Sequence, residues 1–354
     1  ITLTNKEVEG WATKLRLISG RPLDEANPVL DTSLTLANAM ARVSAIQPPL
    51  SPQGLAFSFR RHRSRPWTFP LFIENKMMNP LAAALMSFLI DGGRTILFAG
   101  TRSSGKTSLL SAAIVELMRS TRIITVEDTL ELPITKYQDL KYDIQSMKVQ
   151  SVITQGESEL TATDGIRTSL RLGDSALIVG EVRSKEAVAL YEAMRVGALA
   201  NVVMGTIHGD SPYSIYDRVV NDLGVQKTSF KATDIIIVSN PVKSASGIGK
   251  LRRVIQISEV RKEWEEDPLR EHGFVDLMVY NPKTDTLEPT DALIQGESVV
   301  LKSIASRVAE WVGDWDAVWE NIQLRAKIKE KIVELGKENP EILNHILLFQ
   351  ILKI

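Results

Sequence analysis

The sequence predicts an α/β protein built around a mostly parallel sheet, with a small α+β domain before the sheet and a helical extension after it. From residue 94 to residue 240, apolar runs of strand length alternate with amphipathic runs of helix length, as in parallel sheets with crossover helices. A glycine-containing loop joins the first of these strands directly to a helix. After residue 240 the alternation stops, and residues 297–354 are predicted to be helical.

Four segments follow from this pattern, namely an N-terminal α+β domain, a hinge, an α/β core and a C-terminal hairpin with a helical extension: residues 1–70, 71–78, 79–260 and 261–354. The first segment contains a helix closed by Gly20 and short strands at 41–46 and 55–60. The hinge precedes Asn79 and Pro80, a favourable start for the first helix of the core.

The core strands and helices are predicted from their hydrophobic spacing. The strands are expected at residues 95–99, 122–126, 175–180, 201–206 and 235–239, and the helices at 106–118, 163–172, 184–196 and 212–223.

The composition excludes several kinds of chemistry. The chain has no cysteine, so disulfides, thiolate catalysis and tetra-cysteine zinc sites are excluded. Its net charge of −1 gives no global reason to expect nucleic acid or an anionic membrane as a ligand. No run approaches the ~18 apolar residues of a membrane-spanning helix, so no span is predicted.

The stretch at residues 95–118 contains the phosphate-binding loop pattern of a glycine, four residues and then Gly-Lys-Thr. Gly100 and Gly105 allow backbone N–H groups to turn towards phosphate oxygens. Lys106 can reach the β- and γ-phosphates, and the Thr107 hydroxyl can bind Mg²⁺. The alternative is a plain glycine-rich turn between a strand and a helix. The predicted nucleotide-binding residues are Gly100, Thr101, Ser103, Ser104, Gly105, Lys106, Thr107 and Ser108.

Glu181 ends the apolar run at 175–180 and is the predicted general base. We expect its strand to lie next to the loop strand, which would place the carboxylate near the γ-phosphate, where it can activate the attacking water. The preceding residue is Gly180 rather than the aspartate that usually supports Mg²⁺ through water. The alternative is a strand-end glutamate that pairs with Arg183 or caps the next helix.

A second acidic strand end follows residues 123–126 and carries Glu127, Asp128 and Glu131. Three acids within five residues suit a shell of metal-bound water or the positioning of the attacking water. Glu127 and Glu131 are therefore catalytic candidates, and the predicted Mg²⁺ site consists of Thr107 with Glu127 and Glu181 acting through water. The alternative is a solvated loop.

Two further features carry candidate residues. His208 follows the strand at 201–206 and can sense the γ-phosphate from the ligand-binding edge of the sheet. Phosphoryl transfer also gains from an arginine supplied by another domain or subunit. The candidates are Arg60, Arg61, Arg63, Arg183, Arg195 and Arg218. For the cluster from Arg60 to Arg65, the alternative is a solvated face or a patch that binds a nucleic-acid backbone.

With these motifs in order, the chain resembles the secretion ATPase superfamily of type II and type IV secretion, type IV pili and archaella (GspE/PilB/FlaI-like). GTRSSGKT resembles its Walker A motif, ITVEDTLEL its Asp box, ALIVGEVR its Walker B motif and GTIHGD its His box. The likeness covers roughly residues 18–260. The missing tetra-cysteine zinc module favours the archaeal GspE-like members, whereas LRLGDSALIVGE departs from the family in having Gly-Asp-Ser where a Pro-Asp pair is common.

This resemblance implies a RecA-like P-loop NTPase core and hydrolysis of ATP with Mg²⁺. It also implies an N-terminal domain that closes over the nucleotide and supplies arginines, which points to Arg60 and Arg61 and more weakly to Arg21 and Arg42. The implied assembly is a cytoplasmic homohexamer that acts on the cytoplasmic part of an integral membrane platform protein, with no nucleic acid and no membrane insertion. The alternatives are a RecA-like nucleic-acid translocase, a conjugation-type ATPase and a nucleotide-gated scaffold.

Overall fold

Two sheets organise the part of the chain that the computed structural model describes, which comprises residues 4–36, 39–63, 65–150, 160–197, 202–243 and 250–344. A three-stranded sheet belongs to the N-terminal domain, and a nine-stranded sheet forms the core. The expected α/β class, with its helical C-terminal extension, is confirmed.

The N-terminal domain packs one helix against an antiparallel meander. Helix α1 (Asn5–Ser19) begins with a capping box between Thr4 and Glu7 and ends at Gly20, whose φ of 65° is left-handed. Strands β1 (Val29–Leu36), β2 (Ala39–Ile46) and β3 (Ala56–His62) pair in that order. Strand β1 is missing from the sequence prediction, because the turn-forming residues before it obscured a short apolar run.

The predicted hinge at 71–78 is packed into the core. It begins inside helix α2 (Phe69–Glu74) and leads to helix α3 (Pro80–Asp91), which starts at the predicted Asn79 cap. Four apolar side chains of the segment are buried: Leu71, Phe72, Met77 and Met78. These side chains are held by the same apolar core as α3, and the hinge at 71–78 stays a prediction.

The core sheet contains β4 (Thr95–Gly100), β5 (Ile123–Glu127), β6 (Ile144–Lys148), β7 (Ala176–Val182), β8 (Val203–His208), β9 (Ile235–Lys243), β10 (Lys250–Val260), β11 (Phe274–Asn281) and β12 (Thr286–Pro289). The strand order is β12-β11-β10-β9-β4-β8-β7-β5-β6. Neighbouring strands among β4 to β9 are parallel to each other, and neighbouring strands from β9 to β12 are antiparallel.

Strand β8 lies between the loop strand β4 and the strand β7 that carries Glu181. The expectation that β7 would neighbour β4 is therefore wrong. Strand order depends on the crossover connections, and the spacing of residues along the chain does not encode them. The carboxyl ends of β4, β8, β7 and β5 nevertheless meet at one edge of the sheet, because all four strands run in the same direction.

The helices of the core and of the extension cover both faces of this sheet. They are α4 (Lys106–Val115), α5 (Ile134–Asp139), α6 (Ala162–Ser169), α7 (Glu186–Gly197), α8 (Pro212–Asp217), α9 (Lys227–Phe230), α10 (Asp291–Ile294), α11 (Val299–Ala305) and α12 (Trp315–Glu338). A single π-helical turn at Arg218–Asp222 continues α8. Within the described ranges, no helix combines the length and apolarity needed to cross a membrane.

The helical extension shares the core of the sheet. Helix α12 places Val318, Ile322 and Ile332 in the same buried cluster as α2, α3 and α4. Its Lys329 forms an ion pair of 2.9 Å with Glu116, and both side chains are buried. Because a buried charge is costly without its partner, this pair ties the extension to the end of α4.

Candidate nucleotide site

The phosphate-binding loop has the conformation that its glycines permit. Gly100 has a φ of 152°, and a Cβ added there would lie 2.0 Å from the carbonyl oxygen of Ser239, so no other residue fits. The Lys106 ammonium group donates hydrogen bonds to the carbonyl oxygens of Gly100 (3.0 Å) and Thr101 (2.9 Å). The Thr101 N–H donates to Asn240 Oδ1 at 3.0 Å. The base of the loop is thus fixed by β9 before any ligand arrives.

A cleft of about 420 Å³ opens between this loop and the N-terminal sheet. The loop contributes Arg102, Ser103, Ser104, Gly105, Lys106, Thr107 and Ser108 to its wall. Gly100 and Thr101, which were predicted to bind nucleotide, do not line the cleft. Their carbonyl oxygens instead hold the Lys106 side chain, so their part in the site is to shape the loop.

Glu181 and His208 lie opposite the loop and are linked to its lysine. The His208 Nε2 atom is 3.0 Å from Glu181 Oε1, and its Nδ1 atom is 3.5 Å from Lys106 Nζ. Burial, followed by the nearby Lys106 charge, lowers the pKa of His208, so the ring is neutral at pH 7. The neutral ring that suits both partners donates from Nε2 to Glu181 and accepts from Lys106 at Nδ1.

An irregularity in the sheet accounts for the position of Glu181. The register between β7 and β8 shifts between Val179 and Val182, and the Thr206 hydroxyl donates to the Gly180 carbonyl oxygen at 2.6 Å within that interval. Such a bulge redirects the side chains that follow it. Glu181 therefore lines the cleft although its strand is not adjacent to β4.

Arg183 binds the carboxylate of Glu181 and also lies 3.2 Å from Asp128. Burial alone would raise the pKa of Glu181, but the hydrogen bond and charge of Arg183 outweigh it and hold that pKa below its usual value. The pairing with Arg183 that the sequence offered as an alternative is thus present, and it occurs inside the cleft. Glu181 is ionised at pH 7, and one of its oxygens is occupied by Arg183.

Two arginines of the N-terminal sheet enter the same cleft. Arg42 and Arg60 stand opposite each other on β2 and β3, and their guanidinium groups lie 3.8 Å and 3.7 Å from Glu131 Oε1. Asp31 holds Arg42 through two hydrogen bonds of 3.2 Å and 2.6 Å. The predicted Arg61 faces the other side of the sheet, because consecutive residues of a strand point to opposite faces.

The remaining arginine candidates lie in different surroundings. Arg183 lines the cleft, whereas Arg63, Arg195 and Arg218 do not. The Arg63 guanidinium lies 4.4 Å from the ring centre of Trp67, and Arg195 donates to Ser229 Oγ at 3.4 Å. Of these candidates, Arg183 contacts Glu181.

Glu127 differs from the other predicted acids, because it is 2% exposed and does not line the cleft. Its Oε2 atom accepts the backbone N–H groups of Glu131 (2.9 Å) and Leu132 (3.1 Å). Burial raises the pKa of Glu127 to about 8, although these two hydrogen bonds act in the opposite direction. At pH 7 the group is protonated.

The donor groups in the cleft fit a nucleotide-bound Mg²⁺ ion in part. Thr107 lines the cleft with Glu131 and Glu181, so its hydroxyl can bind the ion while these carboxylates hold its waters. No cluster of three or more metal-binding side chains occurs within the described residues, which is normal for an ion held largely by phosphates and water. Glu127 does not fit the metal role predicted for it, because its carboxyl group is enclosed away from the cleft.

Sequence reasoning missed several residues of the cleft wall: Asp31, Ser44, Ser58 and Arg102. The first three occupy one face of the N-terminal sheet together with Arg42 and Arg60. Their signal was available in the alternation of polar residues along β2 and β3. The alternation does not show that this polar face lines a site, however, because the sequence does not identify the element that faces it.

Residues 13–246 match a family model described as type II/IV secretion system protein. The chain is a member of this family. The match covers about two thirds of the 354 residues and includes the phosphate-binding loop, Glu181 and His208.

Relatives of this chain include a Mycobacterium tuberculosis protein named for conjugal transfer, 30% identical over 215 residues, with 60% of this chain and 59% of the relative covered. The conjugal transfer protein TrbB of Rhizobium radiobacter is 26% identical over 246 residues, with 67% and 69% covered. An uncharacterized Methanocaldococcus jannaschii protein is 27% identical, with 70% and 43% covered. The chain thus spans only part of the length of these relatives.

Two solved structures share the fold of this chain. The Legionella pneumophila ATPase DotB has a TM-score of 0.53 at 15% identity, with 87% of this chain and 75% of that chain covered. The pilus retraction motor PilT with bound ADP has a TM-score of 0.50 at 15% identity, with 97% and 81% covered. At this identity the likeness concerns the fold alone.

The raised pKa of Glu127 predicts a pH-dependent stability. Between about pH 4.5 and pH 8 the folded protein binds a proton that the unfolded chain releases, so the free energy of unfolding falls as the pH rises. The Glu127→Gln variant does not titrate there. Urea unfolding should show that the wild type loses on the order of 1–3 kcal/mol relative to this variant between about pH 5 and pH 8. Glu330→Gln, at an exposed position of α12, is the control. A difference that is constant with pH would contradict the prediction.

Proposed function

We propose that the chain is a Mg²⁺-dependent ATPase whose hydrolysis cycle moves the N-terminal domain against the core. The observation that carries this proposal is one cleft lined by the phosphate-binding loop, the acid Glu181 and two arginines of a separate sheet. Membership in the type II/IV secretion system protein family supports it. Two structures of the same fold are named as an ATPase and as a pilus motor, which agrees with the proposal.

The loop is prepared for phosphate and requires a small rearrangement to bind it. Lys106 now donates to two loop carbonyl oxygens, and phosphate oxygens would replace these acceptors as the nucleotide enters. The backbone N–H groups at the start of α4 face the same anion, and the helix dipole favours negative charge there. Mg²⁺ bound at Thr107 would neutralise charge on the phosphates during transfer.

Glu181 is the general base in this proposal. Its carboxylate is ionised and lines the cleft, but Arg183 and His208 each bind one of its oxygens. A γ-phosphate would compete for Arg183, which binds one oxygen of Glu181. It would also compete for Lys106, which contacts the His208 ring on the other oxygen of Glu181. Phosphate binding would therefore release an oxygen of Glu181 to accept a proton from the attacking water.

Arg60 and Arg42 connect this chemistry to the N-terminal domain. Glu131 lies within 4 Å of both guanidinium groups, so the two arginines are held by the core when the γ-phosphate is missing. A γ-phosphate carries more charge than Glu131 and would draw the arginines further into the cleft. Hydrolysis would return them to Glu131, which provides a reversible movement of one domain against the other.

The proposed larger assembly is supported by the family rather than by the cleft. We infer a cytoplasmic homohexamer, peripheral to the membrane, that acts on the cytoplasmic part of an integral membrane platform protein. Among secretion, pilus, archaellum and conjugation machines, relatives named for conjugal transfer support the conjugation-type assembly. A relative named as a type IV secretion system protein, at 26% identity over 292 residues, agrees with this choice.

The nucleic-acid translocase was based on the basic cluster from Arg60 to Arg65. In the structure Arg60 faces Glu131, Arg63 lies over Trp67, and Arg65 forms an ion pair of 2.7 Å with Glu341. Among the described residues of this cluster, three arginines thus have partners within the chain, which argues against a basic stripe free to bind single-stranded nucleic acid. DNA-stimulated ATP turnover would favour the translocase over the proposed function.

Glu181→Gln tests the proposed hydrolysis directly. The variant should bind ATP with unchanged affinity and lose turnover by about 10²–10⁴-fold, because the amide cannot accept the proton of the attacking water. Turnover and nucleotide binding are measured separately, with Lys106→Ala as the variant that should lose binding. Glu192→Gln, at an acid on the exposed face of α7, is the matched control. Normal hydrolysis by Glu181→Gln would remove Glu181 as the base.

Arg60→Ala and Arg61→Ala form a matched pair, because they are neighbours on β3 that point to opposite faces. Arg60→Ala should lower kcat by on the order of 10²-fold with little change in ATP affinity, as expected for a group that acts on the transferred phosphate. Arg61→Ala should leave both constants within about twofold of wild type. Equal effects of the two substitutions would contradict the assignment of Arg60.

A further inference from the structure

Glu127 occupies an unusual position for an acid in the nucleotide-binding half of the molecule. It ends strand β5, and its side chain is almost fully enclosed. One carboxyl oxygen, Oε2, accepts two consecutive backbone N–H groups, those of Glu131 and Leu132. The other oxygen, Oε1, is buried and has no hydrogen-bond partner among the described residues. The side chain is therefore turned towards its own loop and away from the cleft.

The loop that Glu127 holds ends at the contact between the domains. Residue 131, whose N–H is 2.9 Å from Glu127 Oε2, is the residue whose carboxylate lies 3.7 Å from Arg60 and 3.8 Å from Arg42. The Glu131 side chain is 13% exposed, whereas that of Arg60 is 63% exposed. The position of this contact is thus set by the core loop rather than by the exposed end of Arg60.

Gly180 provides the space that Glu127 occupies. A Cβ added at Gly180 would lie 3.0 Å from Glu127 Cγ, which is tighter than most such contacts. A side chain at position 180 would therefore require Glu127 to shift by a few tenths of an ångström. This contact gives a physical reason for the glycine that precedes Glu181, where an acid would usually stand.

We propose that Glu127 is a positioning residue, which holds the backbone at Glu131 and so sets the reach of the Glu131 carboxylate towards Arg42 and Arg60. It works as a hydrogen-bond acceptor, and it neither holds the waters of Mg²⁺ nor takes a proton from the attacking water. Gly180 belongs to the same device, because it leaves room for the side chain. The inference rests on the proposed ATPase function and assigns the coupling between its two domains.

Glu127→Gln and Glu127→Ala separate positioning from chemistry. The amide keeps an acceptor oxygen with nearly the same shape, so Glu127→Gln should retain kcat within about threefold of wild type. Glu127→Ala leaves two backbone N–H groups without an acceptor, so kcat should fall at least about tenfold while ATP affinity is unchanged. Inactivity of Glu127→Gln, comparable with that of Glu181→Gln, would overturn the proposal, as would full activity of Glu127→Ala.

A double-mutant cycle tests whether Glu127 acts through the contact between the domains. If Glu127 acts through Arg60, adding Glu127→Ala to Arg60→Ala should lower kcat little further, because the contact between Glu131 and Arg60 is already lost. Combined with Arg61→Ala, the same substitution should have its full effect. Additive losses with Arg60→Ala would overturn the proposed route.

Gly180→Ala provides an independent check. In the wild-type background the added methyl group displaces Glu127, so kcat should fall in the same direction as for Glu127→Ala. In the Glu127→Ala background the obstructing Cγ atom is missing, so the second substitution should have little further effect. An equal loss in both backgrounds would overturn the role given to Gly180.

Amide hydrogen exchange measures the positioning without any enzyme activity. The N–H groups of Glu131 and Leu132 should lose protection in Glu127→Ala and keep it in Glu127→Gln, in protein free of nucleotide. Thermal unfolding of each variant verifies that the fold is retained. If the wild-type protein does not hydrolyse ATP but the variants show the expected exchange pattern, only the ATPase function is contradicted. Unchanged protection of these N–H groups in Glu127→Ala would overturn the inference about Glu127.

Discussion

The carboxylate of Glu131 joins the two parts of the chain on which the site depends. It lies within 4 Å of Arg42 and Arg60, which belong to the N-terminal sheet, while its own backbone is held by the core through Glu127. The cleft lies between these two surfaces, which carry opposite charges at this contact. The contact therefore links the arginines of the N-terminal sheet to the side of the core that carries the phosphate-binding loop.

Three other positively charged or basic side chains of the cleft also have partners within the protein. Arg183 binds Glu181 and Asp128, His208 bridges Glu181 and Lys106, and Lys106 donates to loop carbonyl oxygens. Each of these positive groups is thus held by an acceptor that a triphosphate can replace. In the proposed cycle, nucleotide binding is an exchange of partners, so the state of the phosphates determines both the freedom of the proposed base and the position of the N-terminal domain.

The sequence was sufficient where a motif is local. The spacing from Gly100 to Thr107 predicts the loop, because its conformation depends on a few consecutive residues. The sequence does not predict the order of the strands, so β8 was not expected between β4 and β7. The difference between Arg60 and Arg61 depends on which face of β3 meets the core. The difference between Glu127 and Glu131 depends on the direction in which each side chain points. Both require tertiary packing, which a pattern of residue types does not specify.

A crystal structure of the protein with Mg²⁺ and a non-hydrolysable ATP analogue would test the central claim most directly. We predict that the triphosphate lies in the cleft on Lys106 and Thr107, that Arg60 has left Glu131 to contact the γ-phosphate, and that Arg183 has released one oxygen of Glu181. A triphosphate bound on the loop, with Arg60 still on Glu131 and Arg183 still on Glu181, would contradict it.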